Sequence, residues 1–522
     1  MKKRLSLSLM LFMFVFITAW SQPLTPDQID KIAGQTMEAL NVPGIAVAVV
    51  KDDKVIHMKG YGVSSIITGK KTDENTLFAI ASNSKAFTAA ALGILVDEGK
   101  LSWETKVIDI IPEFRLYNAY VTEDFNIKDL LTHRSGMGLG AGDLMLWPDS
   151  STFTKEEIIH NLRYLKQTSP FRTKYDYDNL LYLVAGEVVA KVSGQSWEEF
   201  VELRIMKPLG MERSKASPAR ANDRSNMIDA HVPVNGVLQV VPLYESDLLN
   251  PAGGIISSVA DMTRWVMMQL NRGKYGEKGS KQLLMERTHR EMWTPQTIIP
   301  VRSGGPYNSH FAGYGLGWRL TDVSGYLQAS HTGGLAGIVT QVTLIPELKL
   351  GIIVFTNQQE GSAFTAITNA IKDGYLGVTG NDWVKTLKES VDRNQAEAKK
   401  ITDDIWAKVD ANRSKTAATP DHSTYAGTYS DPWFGDIVIS EEDGKLRFRA
   451  VKSPRLRGEM LYYTGNTFIV KWDDRSMDAD AWAVFALDKE GKAEAFTMEA
   501  ISPLTDFSYD FHDLSPKRKT GK

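Results

Sequence analysis

Ser82 and Lys85 stand three residues apart at the head of Ala86-Phe87-Thr88-Ala89-Ala90-Ala91-Leu92-Gly93-Ile94-Leu95-Val96, a strongly helical apolar stretch that Gly99 would stop. Positions i and i+3 share a helix face, so this spacing brings an amine to a hydroxyl. A serine hydroxyl is a weak nucleophile until a neighbour takes its proton. An amine partly buried against an apolar helix has a lowered proton affinity, because burial disfavours its charged form, and can be that neighbour. The unsatisfied N–H groups and positive dipole end of a helix N-terminus also suit a developing oxyanion. A capping serine followed by a surface lysine has the same spacing. Two facts favour chemistry: the chain holds no other Ser-x-x-Lys, and the helix it opens is apolar enough to be buried.

Two further elements carry suitable side chains. Phe171-Arg172-Thr173-Lys174-Tyr175-Asp176-Tyr177-Asp178-Asn179 leads into an apolar helix over Leu180 to Val192. A loop there can aim the Tyr177 phenol and the Asn179 amide into a cleft. A phenol beside an ammonium is stabilised as phenolate, so Tyr177 could share the proton or pass it to a leaving group. Asn179 could hold Lys85 or a substrate amide. His331-Thr332-Gly333-Gly334 lies between two expected strands, Tyr326 to Ser330 and Ile338 to Pro346. A glycine there admits close backbone approach, and its neighbour's N–H can join that of Ser82 as an oxyanion donor. A Tyr/Asn-rich turn and a β-bulge are the structural alternatives for these two segments.

The elements that must position these residues form a mixed pattern. Thr25 to Leu40 has apolar residues at helical spacing. Gly44 to Val50 and Val55 to Met58 read as a hairpin turned by Asp52-Asp53, and Leu348 to Phe355 as a buried central strand. From Asn381 to Asp410 the pattern is charged and helical, and Ala411 to Asp421 reads as a linker. Short strands then follow, Asp436 to Ser440 and Lys445 to Ala450 around Glu441-Glu442-Asp443-Gly444, then Ala481 to Leu487 and Ala493 to Ala500. This tail predicts a small all-β barrel or closed sandwich. The expected organisation is a signal peptide over 1–21, a catalytic domain over 22–380, a helical segment and linker over 381–421, and an all-β domain over 422–522.

Composition narrows the classes. The 522 residues are 43% hydrophobic and 24% charged, with a net charge of −3 spread evenly, so no basic face for nucleic acid is expected. There is no cysteine, which excludes disulfides, thiolate metal sites, a cysteine nucleophile and a lipidated N-terminal cysteine. The nine histidines show neither His-x-His nor His-Glu-x-x-His, and no Gly-x-Ser-x-Gly elbow exists. Lys2-Lys3-Arg4, the apolar run from Leu5 to about Ala19, and Ala19-Trp20-Ser21 predict an export signal cleaved after Ser21. The mature protein is then expected to be periplasmic or secreted, without a stable membrane anchor.

The three elements in this order resemble the serine β-lactamase and penicillin-binding-protein-like superfamily, more narrowly its class C, esterase and D-Ala-D-Ala carboxypeptidase-like branch. Its Ser-x-x-Lys, Tyr-x-Asn and Lys/His-Thr-Gly motifs are matched by Ser82/Lys85, Tyr177/Asn179 and His331/Thr332/Gly333. The framing segments Leu130 to Met137, Pro251 to Ser258 and Gly313 to Trp318 are similar too, and the likeness spans about Leu24 to Val378. The resemblance implies an α/β (α+β) fold: a mostly antiparallel sheet flanked by helices, plus a helical subdomain. It implies an acyl-enzyme on Ser82, proton transfer by Lys85 and Tyr177, an oxyanion hole from Ser82 and Gly334 N–H groups, and substrate contacts from Asn179, His331 and Thr332. No cofactor or metal is implied. The substrate would be a small ester, amide or peptide, cell-wall peptides included. Two departures, His331 for the usual lysine and Asp178 for the commoner serine, weaken the case for efficient β-lactam hydrolysis, the added charge of Asp178 disfavouring acidic substrates. The expected activity is a peptidase or amidase on small D-amino-acid-type peptides. A carboxylesterase or weak β-lactamase is the alternative within the family, and a non-catalytic penicillin or peptidoglycan sensor the alternative outside it.

Overall fold

The computed structural model of the protein describes residues 22–301, 305–413 and 420–519. The expected export signal, residues 1–21, and most of the expected linker, residues 414–419, lie outside them.

The first half of the architecture is an antiparallel sheet of eight strands. In chain order these are β1 (Gly44–Lys51), β2 (Lys54–Gly62), β3 (Thr297–Ile299), β4 (Ala312–Tyr314), β5 (Arg319–Val323), β6 (Tyr326–Leu335), β7 (Ile338–Ile345) and β8 (Leu350–Thr356). They lie side by side as β2-β1-β8-β7-β6-β5-β4-β3. Asp52 and Asp53 turn β1 into β2 with φ of 50° and 61°, the left-handed pair that matches strand twist in a two-residue hairpin. β8 is paired on both sides and buried along its whole length, which its run of β-branched residues anticipates.

Alternation along β1 assigns the two faces. Ile45, Val47 and Val49 pack with Val339, Ile352 and Val354 against helices α1 (Pro26–Leu40) and, later in the chain, Ser362–Leu376. Ala46, Ala48 and Val50 face the larger core, which contains helices α2 (Ser84–Asp97), α3 (Leu180–Ser193) and α4 (Val259–Leu270). α2 is buried from Ser84 to Leu95, and Phe87 stacks on Trp265 at 3.9 Å. It is a helix apolar all round because it has protein all round.

After Ser362–Leu376, which becomes α5, a single helix α6 runs from Trp383 to Arg413. It extends three residues into the expected linker, because Ala411, Asn412 and Arg413 continue the same helical turn pattern. Its Ile405 and Val409 pack on Leu461, Ile469 and Ile501 of the tail. The tail is a closed antiparallel barrel of eight strands: β9 (Gly427–Asp431), β10 (Gly435–Glu442), β11 (Lys445–Ala450), β12 (Arg457–Thr464), β13 (Thr467–Trp472), β14 (Ala481–Leu487), β15 (Ala493–Ala500) and β16 (Lys517–Arg518). Closure removes the free edges that an open sheet of this size would expose. Among the described residues no helix is long and apolar enough to cross a membrane.

Candidate active site

Ser82 sits in the short turn Ala81–Asn83 that opens α2. The turn is held from below. Asn83 Nδ2 donates to Thr340 Oγ1 at 2.9 Å, and Thr340 Oγ1 donates to the Ile80 carbonyl at 2.8 Å. Ala81 has φ of 49°, a left-handed conformation that costs an alanine about 1 kcal/mol or more. That strain lies immediately before the candidate nucleophile, where the packed surroundings impose it.

Lys85 is completely buried, not partly as the sequence suggests. Its Nζ lies 3.1 Å from Ser82 Oγ, 2.7 Å from Asn179 Oδ1 and 2.9 Å from the Ala252 carbonyl. Burial lowers its pKa to about 7, against the attraction of Asp143 and Asp178. The ammonium can donate to all three oxygens, Ser82 Oγ included. In the neutral amine, two N–H groups go to the two oxygens that can only accept, and the lone pair is left for the Ser82 hydroxyl proton.

Tyr177 stands on the loop before α3, its ring 4.7 Å from Lys85 Nζ and its phenol close enough to Ser82 for that side chain to lower its pKa. The phenolate that the sequence allows is not what the site holds. Burial raises the phenol well above 10, and Ser82 offsets this only in part. A protonated Tyr177 can give a proton to a leaving group but cannot serve as the resting base. His133 packs on its ring at 4.2 Å.

The His331-Thr332-Gly333-Gly334 segment lies inside β6, not between two strands, because β6 runs unbroken to Leu335 and turns into β7 over two residues. Leu335 and Ile338 close that turn, so backbone groups of Gly333 point to β7 and those of Gly334 and Thr332 point away from it. On the sheet faces, Thr332 and Gly334 are exposed and His331 and Gly333 buried. Gly333 permits close approach, since a Cβ there would meet the Ile80 carbonyl at 2.3 Å. His331 Nδ1 is 2.6 Å from the Thr332 carbonyl, to which it donates, so Nε2 accepts from the Tyr314 hydroxyl at 2.7 Å. Burial and the nearby Lys85 push its pKa down to about 3, so it is neutral in ordinary buffers.

Asp178 corrects a further expectation. It is fully buried and turned from solvent, its Oδ1 accepting from Leu181 N–H at 3.3 Å at the head of α3. Burial and repulsion from Asp143 push it to about 8, so it adds no charge to the cleft at neutral pH.

Three contributors carry no signal in the sequence pattern. Asp143 Oδ2 accepts from Asn179 Nδ2 at 2.8 Å, and burial raises this carboxyl to about 7. His133 and Tyr314, which support Tyr177 and His331, lie in segments noted only for family likeness. Asp143 follows a glycine-rich stretch, Gly136 to Gly142, and nothing in its neighbours distinguishes it from a loop aspartate.

Residues 29–374 match the family model Beta-lactamase, and residues 412–518 match a domain of unknown function, DUF3471. Among characterised sequences, an Unguisins hydrolase (ungD) of Aspergillus violaceofuscus is 27% identical over 450 residues, covering 82% of this chain and 78% of that protein. Protein flp of Staphylococcus aureus is 27% identical over 336 residues, 63% of this chain and 62% of that one. Among solved structures, the octameric penicillin-binding protein homologue from Pyrococcus abyssi superposes with a TM-score of 0.61 at 21% identity, over 94% of this chain and 99% of that one. A class C beta-lactamase superposes with a TM-score of 0.55 at 21% identity, over 68% of this chain and 97% of the other. The fold is the β-lactamase/transpeptidase-like one that the motifs imply.

Proposed function

The chain belongs to the Beta-lactamase family, and we propose that it is a serine hydrolase that works through an acyl-enzyme on Ser82. The observation that carries this reading is the set of three partners around Lys85 Nζ, which is satisfied when the amine is neutral and its lone pair meets the Ser82 hydroxyl. In this reading Lys85 takes the Ser82 proton as the oxygen attacks a carbonyl carbon. The N–H groups of Ser82 and Gly334 receive the developing oxyanion. Tyr177 gives its proton to the leaving group and regains one from protonated Lys85, which leaves the amine neutral to take a proton from the water that then releases the acid from Ser82. Asn179 both holds Lys85 and faces substrate.

The substrate class we favour is a small peptide or amide of the D-amino-acid type, cell-wall peptides included. A neutral His331 gives little pull on a carboxylate, but the charge of exposed Arg319 on the adjacent strand reaches His331 and can supply it. A carboxylesterase reading needs no such cation. The site therefore separates the two: Arg319→Ala should lower turnover of a D-Ala-D-Ala peptide several-fold while sparing a neutral p-nitrophenyl ester. Export to the periplasm or exterior belongs to the same reading, on the strength of the N-terminal residues.

The test is labelling by a fluorophosphonate and by penicillin, with ester and D-peptide turnover measured in parallel. The proposal requires a covalent adduct and turnover in the parent, both absent from Ser82→Ala. Penicillin or peptidoglycan binding without adduct or turnover would favour a silent sensor instead.

A further inference from the structure

The barrel sends one segment into the catalytic half. Between β15 and β16 the chain leaves the barrel wall, and residues Phe507 to Asp510 pack on the loop that carries Asp143. Asp510 is wholly buried and spans that loop: its Oδ2 accepts from Gly142 N–H at 2.7 Å and its Oδ1 from Leu144 N–H at 2.9 Å. Ser508 Oγ donates to Asp143 Oδ2 at 2.8 Å. The same carboxylate oxygen takes the Asn179 Nδ2 bond, and Asn179 Oδ1 takes the bond from Lys85. Phe507 closes the arrangement, its ring edge on Tyr177 at 5.8 Å and its carbonyl so near Gly140 that a Cβ there would stand 2.8 Å away.

We propose that Ser508, supplied by the C-terminal barrel, is a positioning residue for the Ser82–Lys85 pair, acting through Asp143 and Asn179, with Asp510 fixing the loop that presents Asp143. The inference rests on the reading of Ser82 and Lys85 given above. Its physics is local. Asp143 Oδ2 receives two donors while Oδ1, also buried, has none among the described residues. Those two donors offset part of the rise that burial imposes on this carboxyl, and they aim it. Ionised Asp143 in turn raises the proton affinity of Lys85 and orients Asn179, which holds the amine against Ser82.

The other groups facing this pair are fixed in kind. Lys85 also meets Asp178, the rings of Tyr177 and Tyr182, and the neutral imidazoles of His133 and His331. Asp143 also meets Asp506, Asp178, Asp510 and Tyr244. None of these replaces the Ser508 hydroxyl as a donor to Asp143. Removing that hydroxyl makes Asp143 easier to protonate, so Lys85 loses a favourable neighbour and its own pKa falls.

The experiment uses the full chain and a p-nitrophenyl ester, with kcat/KM measured from pH 5 to 9 for the parent, Ser508→Ala and Ser508→Thr. Ser508→Ala should lower the high-pH plateau roughly tenfold, the size of one lost hydrogen bond to a charged group. It should also move the acid limb to lower pH by roughly half a unit or more. Ser508→Thr, which keeps the hydroxyl, should recover both. Ser508→Cys, nearly isosteric but a poor donor, takes the place of the alanine variant if that one does not fold. An unmoved limb, with or without a loss of rate that tracks melting temperature, overturns the proposal. Should Lys85→Met or Ser82→Ala retain parental turnover, it is the acyl-enzyme reading itself that fails.

Discussion

Two adjacent glycines of β6 should respond oppositely to the same substitution. A Cβ on Gly333 would stand 2.3 Å from the Ile80 carbonyl, 2.5 Å from Thr340 Oγ1 and 2.9 Å from the Ala81 Cβ. Ordinary contact needs about 3.5 Å, so β6 and the nucleophile turn must separate by about 1 Å. Neither neighbour yields easily. Ile80 is backbone, and Thr340 Oγ1 is held between the Ile80 carbonyl and Asn83. Overpacking costs about 1–3 kcal/mol, and two rigid contacts put Gly333→Ala at the upper end. Because the displaced turn carries Ser82, a shift of about 1 Å also predicts a loss of about a hundredfold in kcat/KM. Gly334→Ala meets no atom within 4 Å, keeps its N–H, and should stay within about 0.5 kcal/mol of the parent. Thermal melting and ester hydrolysis of both variants decide the matter. A Gly333→Ala protein with the parent's melting temperature and rate would refute the packing argument, and equal damage in Gly334→Ala would refute the assignment of faces.

Three further outcomes follow from the same site. Lys85 has a folded pKa of about 7 against 10.5 in an open chain, so between those values the unfolded chain holds the extra proton and stability should fall as pH drops. The contribution is on the order of 4–5 kcal/mol, complete above pH 10.5 and lost as pH falls through about 7, and the difference in denaturant midpoint between parent and Lys85→Met across that window should display it. Asp178→Asn should keep kcat/KM within about threefold at pH 7, because a carboxyl pushed to about 8 is already neutral there; a large loss would show that its charge is used. Ala81→Gly should raise stability by up to about 1 kcal/mol by relieving the left-handed strain, and Ala81→Val should lower it by more, both read from chemical denaturation.

How much of this was legible in the chain depends on distance along it. Ser82 and Lys85 are one helical turn apart, so their meeting is a local fact that spacing alone can state. The fold class came through the family resemblance that the ordered motifs carry, while residue patterning alone read as mixed α and β followed by an all-β tail of short strands and turns. Local pattern did not disclose what burial decides. The protonation of Tyr177 and the inward turn of Asp178 depend on neighbours that only folding brings, among them His133, Phe507 and Asp143. The His-Thr-Gly segment looked like a break between strands because two glycines weaken strand propensity, yet pairing with β7 and contact with Ile80 carry β6 straight through it. Ser508 was invisible for the plainest reason: it lies 365 residues from Asp143.

The central claim is that a neutral Lys85 removes the Ser82 proton. Its most direct test is the rate of acylation by an activated ester in the pre-steady state, followed by intact mass and peptide mapping across pH 5 to 9. An adduct confined to Ser82, forming faster as pH rises through about 7 and absent in Lys85→Met, is the predicted result. Acylation at another residue, or at Ser82 with a rate indifferent to pH and to Lys85, would contradict it.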